Sequence, residues 1–195
     1  MIASCLKVCA SVGLLAALAA CTSADAPPAP ALPSAPGVYK LSTADAAFLQ
    51  QVDELDQTQI NIAKLAATHS NSDVVKAFAT TVLNDHTTNQ KAVAKIATEA
   101  NLTVTPKVDD ADQGHIETFD HLYGSSFDRL YLRNIVSLQT PAFTSTLKTE
   151  TASGGFADVK TLASDTTKML TDHTARAHDL MGDRTFGRHH SRKRH

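Results

Sequence analysis

Apolar residues return every three or four positions in four separate stretches of this chain, a spacing that commits each stretch to an amphipathic helix. The first stripe reads Phe48, Val52, Leu55, Gln59, Ile62 and Ala66, and the second reads Val75, Phe78, Ala79, Val82, Val93 and Ile96, with His86 on the same face. The third holds Tyr131, Leu132, Ile135, Leu138 and Gln139. The fourth holds Val159, Ala163, Thr166, Leu170, His173, Ala177 and Leu180. No stretch alternates with a period of two over a useful length, so the expected class is all-α. Four such helices with mostly short connections predict an antiparallel four-helix bundle. The absence of Trp and an aromatic content of only 5% suit close helix packing through small residues.

The punctuation sets the boundaries. Ser42-Thr43 before Ala44-Asp45 offers an N-cap and an acidic first turn, and the helix it opens should reach about His69. Asn71-Ser72-Asp73 makes the next turn and caps a second helix running to about Ala100. A longer connection containing Pro106 follows, then a short extra helix from Asp112 to Tyr123, closed by Gly124-Ser125-Ser126. The third long helix is expected from Phe127-Asp128, with Pro141 kinking or dividing it. Ser153-Gly154-Gly155 breaks the chain before the fourth helix, which Gly182 should stop.

Both ends are expected to lie outside the bundle. Met1 to Lys7 carries one positive charge, Val8 to Ala20 is small and apolar, and Leu18-Ala19-Ala20-Cys21 closes the run. This is the layout of a secretory signal, too short to span a bilayer comfortably. Its last four residues resemble a bacterial lipobox, which implies cleavage before Cys21 and lipidation of that cysteine; a plain signal peptide ending in a chance cysteine is the alternative. With Cys5 and Cys9 removed, Cys21 alone would survive and no internal disulfide could form. Thr22 is not the Asp that favours inner-membrane retention in similar lipoproteins, so the expected address is the outer membrane facing the periplasm. The layout is therefore 1–20 signal, 21–40 a Pro/Ala-rich tether, 41–182 the bundle and 183–195 a basic disordered tail. That tail holds five basic residues against Asp183, while 21–182 hold 12 basic and 19 acidic side chains. An anionic envelope component is an expected partner for the tail, with plain solvation as the alternative; nucleic acid is not expected for an exported protein.

His86 lies 14 residues after Ser72 and His173 lies 17 after Phe156, which brings two imidazoles within a turn of each other in height. Gln59 and Gln139 also fall near mid-helix. The expected result is a polar core layer of Gln59, His86, Gln139 and His173, with Asp85, Asn89 and Asp128 close by. Such a layer is either a site or the polar filling of a bundle.

Leu65-Ala66, then Val75, Phe78 and Ala79 before Asp85-His86, then Phe127-Asp128 with Tyr131, then Leu170 with His173, together resemble a family of ferritin-like bacterial envelope proteins of unknown function, domain-of-unknown-function family 4142. The resemblance spans Asp45 to Leu180 and implies a ferritin-like bundle without naming an activity. Family members commonly place Glu where this chain has Gln59-Ile60-Asn61, and His where it has Gln139. A ferritin-like di-iron site needs Glu from two helices and Glu-x-x-His from two others, and this sequence contains no Glu-x-x-His. A di-iron oxidase is therefore not expected, because neutral amides offset little of the charge on hard iron ions. A single divalent metal ion on His86 and His173, assisted by Asp85 or Asp128, stays open beside the reading in which no cofactor is required. No nucleophile elbow, Cys-x-x-Cys or dinucleotide fingerprint occurs, so a non-enzymatic role is expected.

Overall fold

The first long helix opens where the sequence places its cap. In the computed structural model, which describes residues 40–105 and 108–190 with side chains to 182, Ser42 accepts from the backbone N–H of Asp45 while Asp45 accepts from the backbone N–H of Ser42. That reciprocal box satisfies two backbone donors that no helix can satisfy internally. Among the described residues six helices follow in order: α1 (Thr43–His69), α2 (Asp73–Glu99), α3 (Asp110–Asp120), α4 (Ser125–Ser137), α5 (Pro141–Ser153) and α6 (Ala157–His190). Among the described residues there is no strand, and no helix is long and apolar enough to cross a membrane. The signal, the tether through residue 39 with Cys21, and residues 191–195 lie outside the described residues.

Helix α1 packs mainly along α2, while α6 packs on α4, α5 and α2, and α3 covers α1. Pro141 divides the expected third helix. Thr140 caps the second piece by accepting from the N–H of Phe143, and Pro141 takes the first helical position, where its missing N–H costs nothing. Gly124, at φ +59, serves the turn before α4. A Cβ there would meet the Asn71 side chain at 3.0 Å, so both backbone hand and space call for glycine.

The fourth helix departs from expectation at its end. Gly182 does not stop α6, which continues through His190. A lone glycine inside a helix costs only about 1 kcal/mol relative to alanine, and no proline follows it to enforce a stop.

The core falls into two clusters. One gathers Ile62, Val75, Phe78, Val82, Phe119, Phe127, Tyr131, Leu132 and Ile135 around stacked and edge-on rings. The other is mainly aliphatic: Phe48, Leu49, Val52, Val93, Phe143, Leu147, Val159, Leu162 and Leu170. Leu138, at the break between α4 and α5, packs against both. Along α1 the change of cluster falls between Val52 and Ile62, and along α2 between Val82 and Val93. Apart from Ile60, the buried side chains in those gaps are polar.

Candidate functional site: a buried histidine–carboxylate layer

Asp56, one turn beyond Val52, and His86, one turn beyond Val82, meet in the gap between the clusters. Asp56 Oδ1 and His86 Nδ1 stand 2.7 Å apart, and both side chains are 0% exposed. Asn89, one turn further along α2, donates its amide to Asp56 at 3.0 and 3.3 Å and accepts from the Thr166 hydroxyl of α6 at 3.2 Å. Beside them Asn134 of α4 donates to Gln59 of α1 at 2.9 Å. These bonds tie four helices together at one level. A slip of any helix would strand a buried polar group, at roughly 1–3 kcal/mol each.

His173 of α6 brings its ring centroid to 5.5 Å from that of His86, in keeping with the helical arithmetic. Its Nε2–H donates to Asp85 Oδ2 at 2.9 Å. The imidazole is 4% exposed and the carboxylate 46% exposed, so this second pair spans from core to solvent. One ring nitrogen of each histidine is thereby committed. The other two, His86 Nε2 and His173 Nδ1, are buried and meet no hydrogen-bond partner among the described residues; the Tyr131 hydroxyl is in the same condition. Phe78 stands edge-on to both Tyr131 and His173, at 6.2 and 6.1 Å.

Burial governs the protonation of this layer. It lowers the His86 pKa to about 4 against the smaller opposing pull of Asp85. It also pushes Asp56 well above the usual carboxylate range, opposed by the Asn89 amide and reinforced by repulsion from Asp53. Both shifts favour an uncharged pair at neutral pH, with the proton held toward Asp56. Burial lowers His173 too, helped by repulsion from His86 and opposed by Asp85. Desolvation raises the Tyr131 hydroxyl, which keeps its proton.

Several sequence-derived positions change role. Gln59, Asn89, His86 and His173 lie in the layer as expected, but Gln139 does not. It is half-buried in the α4–α5 break and donates at 2.9 Å both to the Leu170 carbonyl and to Thr174 Oγ1. The break shifts the helical phase, and Asn134 occupies the inward position instead. Asp85 serves His173 and not its neighbour His86, because successive residues on a helix point about 100° apart. Asp128 is not a neighbour of the histidines. It accepts from Ser70 Oγ in the α1–α2 turn, and the 14 residues from Ser72 to His86 correspond to roughly 20 Å of helix. Of the expected ligands of a single divalent metal ion, His86, His173 and Asp85 are neighbours, while Asp128 lies apart from them. Among the described residues no three His, Cys, Asp or Glu side chains converge as metal ligands.

Asp56, Asn134 and Thr166 complete the layer. Thr166 stood on the fourth stripe in the sequence. Asp56 carried one legible signal, its place four residues after Val52 and three before Gln59. Hydropathy alone sends an aspartate to the surface, which hid it.

The class this defines is an all-helical domain whose two hydrophobic clusters are separated by a closed histidine–carboxylate–amide layer. The family model described as Domain of unknown function (DUF4142) matches residues 30–180, and the chain belongs to that family. No curated protein matches the chain, and no solved structure does.

Proposed function

We propose that this is an exported, lipid-anchored protein of the bacterial envelope, held by Cys21 at the outer membrane and facing the periplasm, with a non-enzymatic structural, protective or interaction role. Its helices are read as a ferritin-like antiparallel four-helix bundle: α1, α2, the divided pair α4–α5, and α6, with α3 as the extra helix. One observation carries the non-enzymatic reading. The side chains most capable of chemistry are engaged with one another inside the core, where Asp56 spends both oxygens on His86 and Asn89. Such a layer fixes helix register. The Pro-rich segment from Ala24 to Pro36 would hold the bundle away from the lipid, and the basic residues of 183–195 would meet an anionic envelope component.

Cell fractionation with fatty-acid labelling tests the anchor. Cys21→Ala should leave the membrane fraction and lose the label. Unchanged membrane retention and labelling would overturn lipidation at that residue.

A second reading, a metal-binding or redox protein centred on His86 and His173, is favoured by a separate observation. The rings lie 5.5 Å apart, and each has one buried nitrogen without a protein partner.

A further inference from the structure

We propose that His86 Nε2 and His173 Nδ1 together hold a single copper(I) ion in two-coordinate fashion, an inference that rests on the metal-binding reading and is independent of the envelope anchor. Histidines that bind metals characteristically engage the second ring nitrogen with a carboxylate, which fixes the tautomer and aims the free nitrogen. Here both rings are held that way, His86 by Asp56 at 2.7 Å and His173 by Asp85 at 2.9 Å. The remaining nitrogens are buried and unpartnered. With metal–nitrogen bonds of about 2 Å, an ion joining two imidazoles places their centroids about 6 Å apart when linear and closer when bent. At the observed 5.5 Å the angle at the ion would be roughly 130°, which opens to linear if the rings part by about half an ångström.

The donor set selects the ion. Zinc takes four ligands in structural sites and three plus water in catalytic ones, and no third His, Cys, Asp or Glu joins this pair among the described residues. Iron, manganese and magnesium want anionic oxygen. Copper(I), soft and singly charged, accepts two imidazoles alone, and a single charge costs less than a double one beside Phe78 and Tyr131.

Charge is met as well: Asp56, in contact with His86, and Asp85, in contact with His173, are the carboxylates that would neutralise the ion, and any hydrogen on a coordinating nitrogen would leave as the ion binds, without any change of oxidation state. A cleft of about 480 Å³ between α2 and α6, lined by Phe78, Asp85, Asp172, His173 and Arg176, reaches His173 but not His86. Its two carboxylates attract a cation and its arginine opposes one.

The test is an anaerobic titration of the full chain with copper(I) against bicinchoninate, with zinc(II) titrated in parallel. The background carries Cys5→Ser, Cys9→Ser, Cys21→Ser, His189→Asn, His190→Asn and His195→Asn, so that no cysteine or tail histidine competes. We expect one copper(I) per chain and an X-ray absorption spectrum with two nitrogen neighbours. His173→Leu should abolish binding at unchanged helicity, and Asp56→Asn should weaken it by about 10–100-fold. If His173→Leu does not fold, the copper neighbour count and the Asp56→Asn titration still decide. Tight zinc binding with three or four protein ligands would overturn the copper(I) assignment and keep the metal-binding reading. Failure to retain either metal against the competitor would overturn both. Copper binding that persists in a folded His173→Leu variant would remove the site from this pair.

Discussion

Among the described residues, Asp56–His86 and Asp85–His173 are histidine–aspartate pairs of similar hydrogen-bond length in different surroundings. Asp56–His86 is closed off entirely, with both side chains out of reach of water, whereas Asp85–His173 ends in a carboxylate that is nearly half exposed. In the dry pair burial overrides the ordinary proton affinities of both partners, and the gain is positional: a neutral hydrogen-bonded unit that α1 and α2 must meet in one register. The second pair can relax into water when broken. Similar residues at similar distances therefore carry different energetic weight, because the cost of losing a partner depends on whether water can replace it.

That contrast can be broken most severely at Asp56. Asp56→Ala leaves His86 Nδ1 and the Asn89 amide without a buried partner and should lower the unfolding free energy by about 1–3 kcal/mol for each in a denaturant titration. Next is the pH response. An unfolded chain titrates Asp56 near 3.8 and His86 near 6.5, while folding raises the first and lowers the second to about 4. A lowered histidine contributes stability that is complete above 6.5 and lost as pH falls toward 4. A raised aspartate contributes stability that is present below 3.8 and lost as pH rises through its folded value. Between about 4 and 6.5 the two slopes oppose one another and the proton count changes little on unfolding. Asp56→Asn removes one slope, so acidifying that variant from 6.5 to 4 should cost up to about 3 kcal/mol more than it costs the wild type. Chemical denaturation across that range reads the difference.

Smaller effects sharpen the same comparison. Gln59→Ala strips the acceptor from the Asn134 amide and should cost about 1–3 kcal/mol, read as a shifted denaturation midpoint. Asp85→Asn should cost under about 1 kcal/mol, because solvent screens the half-exposed carboxylate and an amide oxygen still accepts from His173. A large loss at Asp85 would erase the distinction between the pairs.

Much of the architecture was legible because apolar spacing reports burial directly. Every residue of the fourth stripe, from Val159 through Thr166 and His173 to Leu180, is buried, and Pro141 announced the divided helix. The layer was legible only in part. Two histidines on apolar stripes stood out, but their carboxylate partners did not, since an acid on a helix looks alike in sequence whether it faces solvent or a buried imidazole. Asp85 stands next to His86 in the sequence, yet helical geometry turns neighbours to different faces and its carboxylate meets His173 instead. Gln139 illustrates a second obstacle: phase carried across a break no longer predicts which side chain points inward. Asp128 illustrates a third, because a residue near a helix start belongs with the turn at that end and not with mid-helix groups.

The central claim is that the buried layer is held by a neutral Asp56–His86 unit, distinct from the solvent-linked Asp85–His173 pair. The most direct measurement is the nitrogen chemical shifts of the His86 and His173 rings in uniformly 15N-labelled protein from pH 7 to 4. The account predicts that His86 stays neutral in a single tautomer until about pH 4, with the Asp56→Asn spectrum losing its short hydrogen-bond signature. It also predicts that His173, lowered by burial but paired with Asp85, takes up its proton before His86 does. A His86 ring that titrates near 6.5, or exchanges freely between tautomers at neutral pH, would contradict it.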